Sequence, residues 1–390
     1  MSKTLQDYAT LINDTIQSNE INHYITTDNM CQNLGGIDTF KNINIPQGKV
    51  RSFQKDDVLL SNIRLYFRKV YRAKQKGGCS SDVLVFRAKH IDSATLFAIL
   101  SSQIFTDYAC SGSQGSKMPR GNKTHMMDFK IPTINFTIAK IFNSIQNKIE
   151  NNHKINELLH KILELLYEQY FVRFDFLDEN NKPYQTSGGK MKFSKELNRL
   201  IPNDFEVKTL GELITWISGS QPPKSCHIYE HKEGYIRFIQ NRDYSSNDYI
   251  TYIPISKNNK ICYQYDIMID KYGEAGAVRF GLQGAYNVAL SKISVLNQSM
   301  QEYIRSYLNS KPIKKYLSNA CMASTRSSLN ENHIYSLMLP IPPINLLQKY
   351  EKIAKNIITA IIKNNQSTQT LTALRDFLLP LLLKQQVKPQ

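Results

Sequence analysis

Two stretches of the chain repeat apolar residues at the spacing of a long helix. The first runs from Ala139 to about Val172 without proline or glycine, and the second runs from Leu346 towards the C-terminus. Apolar side chains three and four positions apart are typical of a coiled-coil seam. The predicted seam residues are Ile145, Ile155, Leu159, Ile162 and Leu166 in the first stretch and Ile357, Leu371, Leu374 and Leu378 in the second.

Each predicted helix exposes an apolar stripe when it stands alone. The simplest way to bury both stripes is an antiparallel helix pair, and the alternative is that each stripe packs only on its own domain. The pairs Asn151–Asn152 and Asn364–Asn365 fall within these stretches, where a polar seam residue fixes register at some cost in stability. At ~1.5 Å per residue, a helix of about 34 residues is about 50 Å long and would hold two domains apart.

Outside the helices the pattern changes to short β-type runs interrupted by polar residues. The predicted strands lie within 58–60, 83–86, 235–239, 249–253, 261–269 and 277–280, and helical patches fall at 90–108 and 299–320. We therefore predict an α+β fold class, with two similar α+β domains separated by two long helices that form an antiparallel coiled coil with a pseudo-twofold axis.

The sequence also contains an internal repeat. Ile-Pro-Thr-Ile-Asn at 131–135 returns as Ile-Pro-Pro-Ile-Asn at 341–345, and other short matches fall within two residues of the same offset. A repeat of this length indicates a duplicated domain. Carried on from Cys110 and Cys321, the repeat places Ser328 opposite Lys117. The expected boundaries are a first domain at 1–138, a first long helix at 139–177, a connector at 178–202, a second domain at 203–345 and a second long helix at 346–390.

The charge of the chain favours an anionic partner. A net charge of +16 and a pI near 9.4 suit nucleic acid or a membrane surface, although simple solubility is an alternative explanation. No apolar stretch has the length of a membrane span and the N-terminus lacks a signal peptide, so we expect a cytoplasmic protein without membrane contact. Six scattered cysteines predict no metal site and no disulfide framework.

Basic and amide side chains concentrate in a few predicted loops. Cations that grip phosphates, beside guanidinium and amide groups that read base edges, are the chemistry of DNA recognition. A solvated strand face or an ordinary surface loop is the alternative. The candidate DNA-contacting residues are Asn62, Arg64, Arg68, Lys69, Arg72, Lys117, Arg120 and Lys123 in the first domain and Arg237, Gln240, Asn241, Arg242, Lys271, Tyr272, Arg279 and Arg326 in the second.

Catalytic signatures are missing from the sequence. It contains no phosphate-binding GxxxxGK[ST] loop, no glycine-rich methyltransferase turn and no HExxH pair, so we expect no catalytic residue, no bound metal and no cofactor in this chain. A dispersed nuclease triad of Asp, Glu and Lys has no fixed spacing and would leave no such signature. Two alternatives therefore stay open, a DNA-binding nuclease subunit with an unrecognised active site and a basic two-domain nucleic-acid-binding scaffold.

Several segments near the middle of the chain have a distinctive sequence. They are Tyr-Phe-Val-Arg-Phe-Asp-Phe at 170–176, Lys-Pro-Tyr-Gln-Thr-Ser-Gly-Gly-Lys-Met at 182–191, Ile-Pro-Asn-Asp-Phe-Glu-Val-Lys-Thr-Leu-Gly-Glu-Leu at 201–213 and Gly-Ser-Gln-Pro at 219–222. Together with segments 60–64 and 78–82, they resemble the specificity (S) subunits of type I restriction-modification systems. The last segment is similar to the family's Gly-Gly-Thr-Pro turn with two residues substituted.

This resemblance implies a non-catalytic subunit with two target recognition domains that read a bipartite double-stranded DNA target. The helices would set the gap between the half-sites and dock two methylation (M) subunits, which in turn recruit restriction (R) subunits. S-adenosylmethionine, ATP and Mg would be used by those partners and not by this chain. A ruler of about 50 Å exceeds one DNA turn of ~34 Å, which agrees with two half-sites and an uncontacted spacer.

Overall fold

The computed structural model describes residues 3–38, 41–131, 134–245, 249–322 and 328–382. Contacts divide the chain into two compact units. The first unit joins residues 1–155 to 366–390, and the second spans residues 156–365. Each unit therefore contains one globular domain together with part of each long helix.

The first domain is built from two four-stranded sheets. Its strands are β1 (Ala9–Ile12), β2 (Thr15–Gln17), β3 (Tyr24–Ile25), β4 (Lys49–Phe53), β5 (Val58–Ser61), β6 (Val70–Arg72), β7 (Gly77–Cys79) and β8 (Val83–Ala88). One sheet has the antiparallel order β1-β8-β5-β6, and the other has the order β2-β4-β7-β3 with β3 parallel to β7.

The central strands of this domain are apolar on both faces because both faces are covered. Val58 and Leu60 of β5 point into one core cluster, while Leu59 between them points into another. Successive side chains of a strand leave opposite faces of the sheet, so a continuous apolar run is what a doubly covered strand requires.

The second unit repeats this arrangement. Its strands are β9 (Met191–Ser194), β10 (Arg199–Pro202), β11 (Glu206–Thr209), β12 (Ile214–Ser218), β13 (Tyr235–Ile239), β14 (Thr251–Pro254), β15 (Ile261–Cys262), β16 (Ile267–Asp270), β17 (Val278–Arg279), β18 (Gly284–Tyr286), β19 (Leu290–Val295) and β20 (Met338–Ile341). The order β12-β19-β16-β17 matches β1-β8-β5-β6 strand for strand. Ile267 and Ile269 of β16 point into one cluster and Met268 into another, as in β5.

The second sheets match in their three central strands and carry their fourth strand at opposite edges. In each domain a glycine opens the strand that pairs in parallel, and a Cβ there would meet a backbone carbonyl oxygen. The Cβ at Gly77 would lie 2.6 Å from the oxygen of His23, and at Gly284 it would lie 2.4 Å from the oxygen of Arg237. The first domain adds β2 beside β4, whereas the second adds β14 beside β13 in a longer hairpin.

Helices cover the outer face of each first sheet and form the long pair. They are α1 (Leu5–Tyr8), α2 (Ser93–Leu100), α3 (Gln103–Ser111), α4 (Lys123–Met127), α5 (Phe136–Tyr167), α6 (Gln301–Asn309), α7 (Lys311–Met322), α8 (Asn332–Tyr335) and α9 (Ile344–Leu382). No helix within the described ranges combines the length and apolar character needed to cross a bilayer.

The ends of the predicted long helices and the predicted connector need correction. Helix α5 begins at Phe136 and passes into a π-helix, Glu168–Val172, so residues 173–177 are not helical. The π-helix is followed by aromatic side chains that enter the core, among them Phe174 and Phe176. The connector also contains an unforeseen hairpin, β9–β10, whose outward Phe193 faces Leu200 across the strands.

The two long helices pack antiparallel within each unit. In the first unit Phe142 of α5 shares a core with Leu379 of α9, and the Asn152 side chain donates to the Thr368 hydroxyl over 3.2 Å. In the second unit Leu159 packs against Ile361. Asn156 there donates to the side-chain oxygen of Asn365 over 2.7 Å and accepts from Asn364 over 3.0 Å. The helix pairing predicted from the sequence is confirmed in both units.

The exact seam differs from the predicted one. Ile145 is buried, and Leu159, Leu166, Ile357, Leu371 and Leu378 are half-buried. Ile155, Ile162 and Leu374 instead lie on the outer side of their helices, 43%, 48% and 45% exposed. The seam passes through Ile149, Asn152 and Asn156, so polar residues occupy positions that an apolar count assigns to their neighbours.

Candidate nucleic-acid interface

A tight basic turn follows the central strand of the first domain. The main chain leaves β5 at Ser61 and forms a single 3₁₀ turn, Leu65–Phe67, between two arginines in the left-handed region. Arg64 has φ 50° and Arg68 has φ 49°. This conformation is uncommon for residues other than glycine and costs on the order of 1–2 kcal/mol each. Such local strain is concentrated at functional sites.

The second polar segment of this domain lies beside the basic turn. Gln114 and Arg120 exchange both main-chain hydrogen bonds at 2.9 Å and so form a small hairpin. The Arg64 N–H donates to the carbonyl of Pro119 over 2.9 Å, and the Gly121 N–H donates to the carbonyl of Asn62 over 3.1 Å. Residues 61–69 and 111–122, which are far apart in sequence, form one surface that we name the first loop pair.

The first loop pair and its flank carry both exposed cations and exposed apolar side chains. Lys117, Arg120 and Lys123 are exposed, and Tyr66 and Met118 are 54% and 55% exposed. Cations neutralise phosphates, and an aromatic ring offers a face on which a base can stack. This surface therefore suits a nucleic-acid backbone with its bases.

Other candidates in the first domain hold the turn in place. Asn62 is buried, and its main chain carries the contacts to the neighbouring segments. Arg68 donates to the carbonyl of Ser101 over 2.9 Å, and burial lowers the pKa of its guanidinium. Lys69 donates to the carbonyl of Thr27, and burial lowers the pKa of its amine. Arg72 lies 3.8 Å from Asp56. The main chain of Asn62 and the side chains of Arg68 and Lys69 thus hold the turn in place.

The second domain uses the same hydrogen bonds to present its loops. Asp270 N donates to the carbonyl of Ala277 as Ser61 N donates to that of Lys69, both over 3.0 Å. The next residue in each domain, Asn62 or Lys271, is held by two further main-chain hydrogen bonds, one through its N–H and one through its carbonyl.

At that position Lys271 N donates to the carbonyl of Ala289, as Asn62 N does to that of Asp82, and each bond is 2.8 Å long. The carbonyl of Lys271 accepts from Leu329 N over 3.0 Å, in the place where that of Asn62 accepts from Gly121 N. Ser328 is therefore opposite Arg120, which corrects the sequence-based pairing of Ser328 with Lys117.

Cations in the second domain lie over tyrosine rings. The Arg242 guanidinium is 5.8 Å from the centroid of the Tyr249 ring, and the Lys271 amine is 6.0 Å from that of Tyr272. The Asn241 side chain donates to the carbonyl of Tyr272 over 3.3 Å and ties the two loops together. Tyr249 and Tyr272 are 68% and 45% exposed, so this surface is richer in aromatic rings than the first loop pair.

Three further candidates in this domain are engaged elsewhere. The Arg279 guanidinium lies 2.9 Å from Asp270 and also binds Glu274. Gln240 caps the 3₁₀ turn Asn241–Tyr244 in a reciprocal arrangement with Asp243. Arg237 is half-buried in β13, opposite Tyr252. Arg326 lies outside the described residues.

Sequence reasoning missed two features of these surfaces. Asp82 bonds to Arg120 through its carboxylate and to Asn62 through its carbonyl, and a lone carboxylate between strands gave no signal. Tyr249 was assigned to a strand, although a tyrosine next to the polar run 245–248 is typical of a loop. No group of three or more His, Cys, Asp or Glu residues in the described part of the chain is arranged to hold a metal ion.

Known proteins resemble both the sequence and the fold. Residues 202–373 match the family described as type I restriction modification DNA specificity domain. The MjaIX specificity subunit of Methanocaldococcus jannaschii is 24% identical over 300 residues, which cover 74% of this chain and 67% of that protein. The HindI specificity subunit of Haemophilus influenzae is 22% identical over 309 residues, which cover 64% and 66%. Each alignment thus spans about two thirds of the curated relative.

A solved structure covers nearly the whole fold. The crystal structure of the type I restriction-modification S subunit from M. genitalium aligns with a TM-score of 0.64 and 15% identity over 99% of this chain and 96% of that one. This likeness extends the shared fold to the first domain, which the sequence match at 202–373 does not reach. The duplicated sheets and the antiparallel helices thus give this chain the fold of that S subunit, and residues 202–373 match the type I restriction modification DNA specificity domain.

Proposed function

We propose that this chain is the non-catalytic, DNA-reading subunit of a type I restriction-modification complex, and that each domain contacts one half of a bipartite duplex target. The observation that carries the proposal is the shared hydrogen-bonded frame around Asn62 and Lys271. One fold, used twice, presents two different sets of side chains at the same place. That is what a protein needs to read two different half-sites.

The exposed side chains of both surfaces suit duplex DNA. Lys117 and Lys123 supply charges for phosphates, while the exposed Arg120 and Arg242 and the half-buried Arg64 supply guanidinium groups that can bind guanine with two donors. Phosphate contacts position the protein, and base contacts specify the sequence. We infer the same division of labour here.

The partners follow from the same proposal. Two methylation subunits would dock on the helix pair, and restriction subunits would join them in the cytoplasm. S-adenosylmethionine, ATP and Mg would act in those subunits. Exposed apolar side chains on the outer side of the helices, such as Leu158, Ile162 and Leu165, support a protein partner there. The helix pair would also set the gap between the half-sites.

The test is recovery of the tagged chain from its own cells, followed by selection from a randomised duplex library. We expect two S-adenosylmethionine-binding subunits per chain and enrichment of a motif with two specified halves. Recovery of the chain alone with equal affinity for RNA and random duplex would favour a scaffold. Metal-dependent cleavage by the purified chain would favour a nuclease.

A further inference from the structure

We propose that Asp82 is a positioning residue that sets Arg120 to read one guanine in the half-site met by the first domain. This inference rests on the proposed function and adds a named determinant of specificity to it. The structure further assigns this determinant to the first domain alone, because the second domain has no acid and no arginine at the matching positions.

The main chains of both residues are fixed. Arg120 exchanges two hydrogen bonds with Gln114, and the preceding Pro119 accepts from the Arg64 N–H. Asp82 is held through its carbonyl, which accepts from the Asn62 N–H. Main-chain hydrogen bonds therefore fix the backbone of both residues without the ion pair. The ion pair then determines where the Arg120 guanidinium lies.

The ion pair leaves most of the guanidinium available. Nη2 of Arg120 lies 3.0 Å from Oδ1 of Asp82, and the two side chains are 62% and 32% exposed. Across the described ranges Arg120 has no other side-chain hydrogen bond, so four of its five N–H donors remain for a ligand. An exposed pair of this kind contributes little to stability, which argues against a purely structural role.

Asp82 also has an electrostatic cost next to DNA. A carboxylate on a phosphate-facing surface repels every duplex, whatever its sequence. Its removal should therefore tighten binding to random DNA, while the loss of Arg120 orientation should weaken the preference for guanine. Opposite signs for the two readouts are not expected from a residue that merely stabilises the loop.

The second domain supplies an internal control. Its matching positions are Ala289, whose carbonyl accepts from Lys271 N, and Ser328, which precedes Leu329. Neither side chain can form an ion pair. The half-site read by the second domain should be unaffected by any change at Asp82.

The experiment selects from a randomised duplex library with the full chain in complex with its methylation subunits. The variants are Asp82→Ala, Asp82→Asn, Arg120→Ala and the double variant Asp82→Ala/Arg120→Ala. The control is Glu168→Ala, which removes a pair of similar length and exposure, Arg173 to Glu168 at 2.8 Å, outside the loops. Melting temperatures are measured for all.

We expect Asp82→Ala to reduce the guanine preference at one base pair of one half-site about tenfold, and to raise affinity for random duplex. Arg120→Ala should remove the same preference, and the double variant should lose no more of it than Arg120→Ala alone. Asp82→Asn should fall between wild type and Asp82→Ala, because an amide oxygen can still accept a hydrogen bond.

Three results would overturn the inference. They are an unchanged preference in Asp82→Ala, a uniform loss of affinity together with a lower melting temperature, and a change in both half-sites. If the wild-type complex enriches no bipartite motif, the proposed function itself fails. A bipartite wild-type motif that Asp82 variants leave unchanged refutes only the role of Asp82.

Discussion

The two domains share a scaffold and differ at the surfaces that scaffold presents. Both have the same first sheet and the same main-chain bonds after the central strand. The first loop pair carries the exposed Lys117 and Arg120 and the exposed ring of Tyr66, whereas the second domain places Arg242 and Lys271 over tyrosine rings. Main-chain hydrogen bonds and buried strands are thus insensitive to the side chains in the loops. A duplicated domain can change what it reads without changing how it folds.

The largest predicted difference between the domains concerns their acid–arginine pairs. Arg305 and Glu302 are buried together in the second domain, with Nε 2.6 Å from Oε2. Arg305→Met leaves the carboxylate buried and unpaired, so we expect a loss of about 3–5 kcal/mol in the free energy of unfolding.

The matched change in the first domain is Arg87→Met. The Asp57 carboxylate is only 2% exposed, but its partner Arg87 is 35% exposed, so water can reach Asp57 once the guanidinium is removed, and Asp57 keeps the hydrogen bond from Gln54 N. We expect a loss of only about 1 kcal/mol there. Chemical denaturation of the two variants measures both values. Equal losses would contradict the predicted difference between the buried pair and the partly exposed pair.

The next largest predicted effect is a loss of stability that should be similar in the two domains. Gly77→Val and Gly284→Val each force a Cβ against a backbone carbonyl that cannot move away, as the 2.6 Å and 2.4 Å distances show. We expect each to cost about 3 kcal/mol or more and to increase amide hydrogen exchange in its own domain. Gly234→Asn, at a left-handed position in open space, is the control and should be nearly neutral. If either variant raised amide hydrogen exchange equally in both domains, the two domains would not be independent of each other.

A smaller predicted effect is a pH dependence of stability that arises from Glu351 in the second unit. Burial, with the neighbouring Glu302, raises the pKa of Glu351 to about 7, although its carboxylate accepts from Glu302 N over 2.9 Å and faces Arg305 and Lys355. The folded state then holds a proton that the unfolded state has released, so this group's contribution to stability falls as pH rises from about 5 to about 7.

Glu351→Gln should abolish that fall. After allowance for solvent screening, we expect the variant to be about 1 kcal/mol more stable than wild type at pH 8 and no more stable at pH 5. Denaturation curves across this range measure the difference, with the exposed Glu230→Gln as control. A difference that does not vary with pH would refute the assignment.

The smallest predicted effect is on phosphate contacts. Lys117→Ala and Lys123→Ala should weaken binding to all duplexes alike and lower the slope of log affinity against log salt by about 1 each. Lys352→Ala, an exposed lysine on the long helix, should leave the slope unchanged. Sequence-dependent losses in the two loop variants would show that these lysines read bases.

The sequence predicted elements better than it predicted contacts. Periodicity identified both long helices and the apolar central strands, because helix and strand spacing are local properties. It misplaced Ile155, Ile162 and Leu374, because buried asparagines at 152 and 156 hold the seam and an apolar count ignores them. It also missed Asp82, since an ion pair to Arg120 across 38 positions leaves no local pattern. Arg279 suited base reading by residue type, but its carboxylate partners became visible only in the fold.

One measurement tests the central claim that each domain reads its own half-site. The motif selected from a randomised duplex library is compared for the wild-type complex, Arg64→Ala and Arg242→Ala. We predict that Arg64→Ala relaxes positions in one half only and that Arg242→Ala relaxes positions in the other half only. Relaxation of the same half by both variants, or of neither half, would contradict the account.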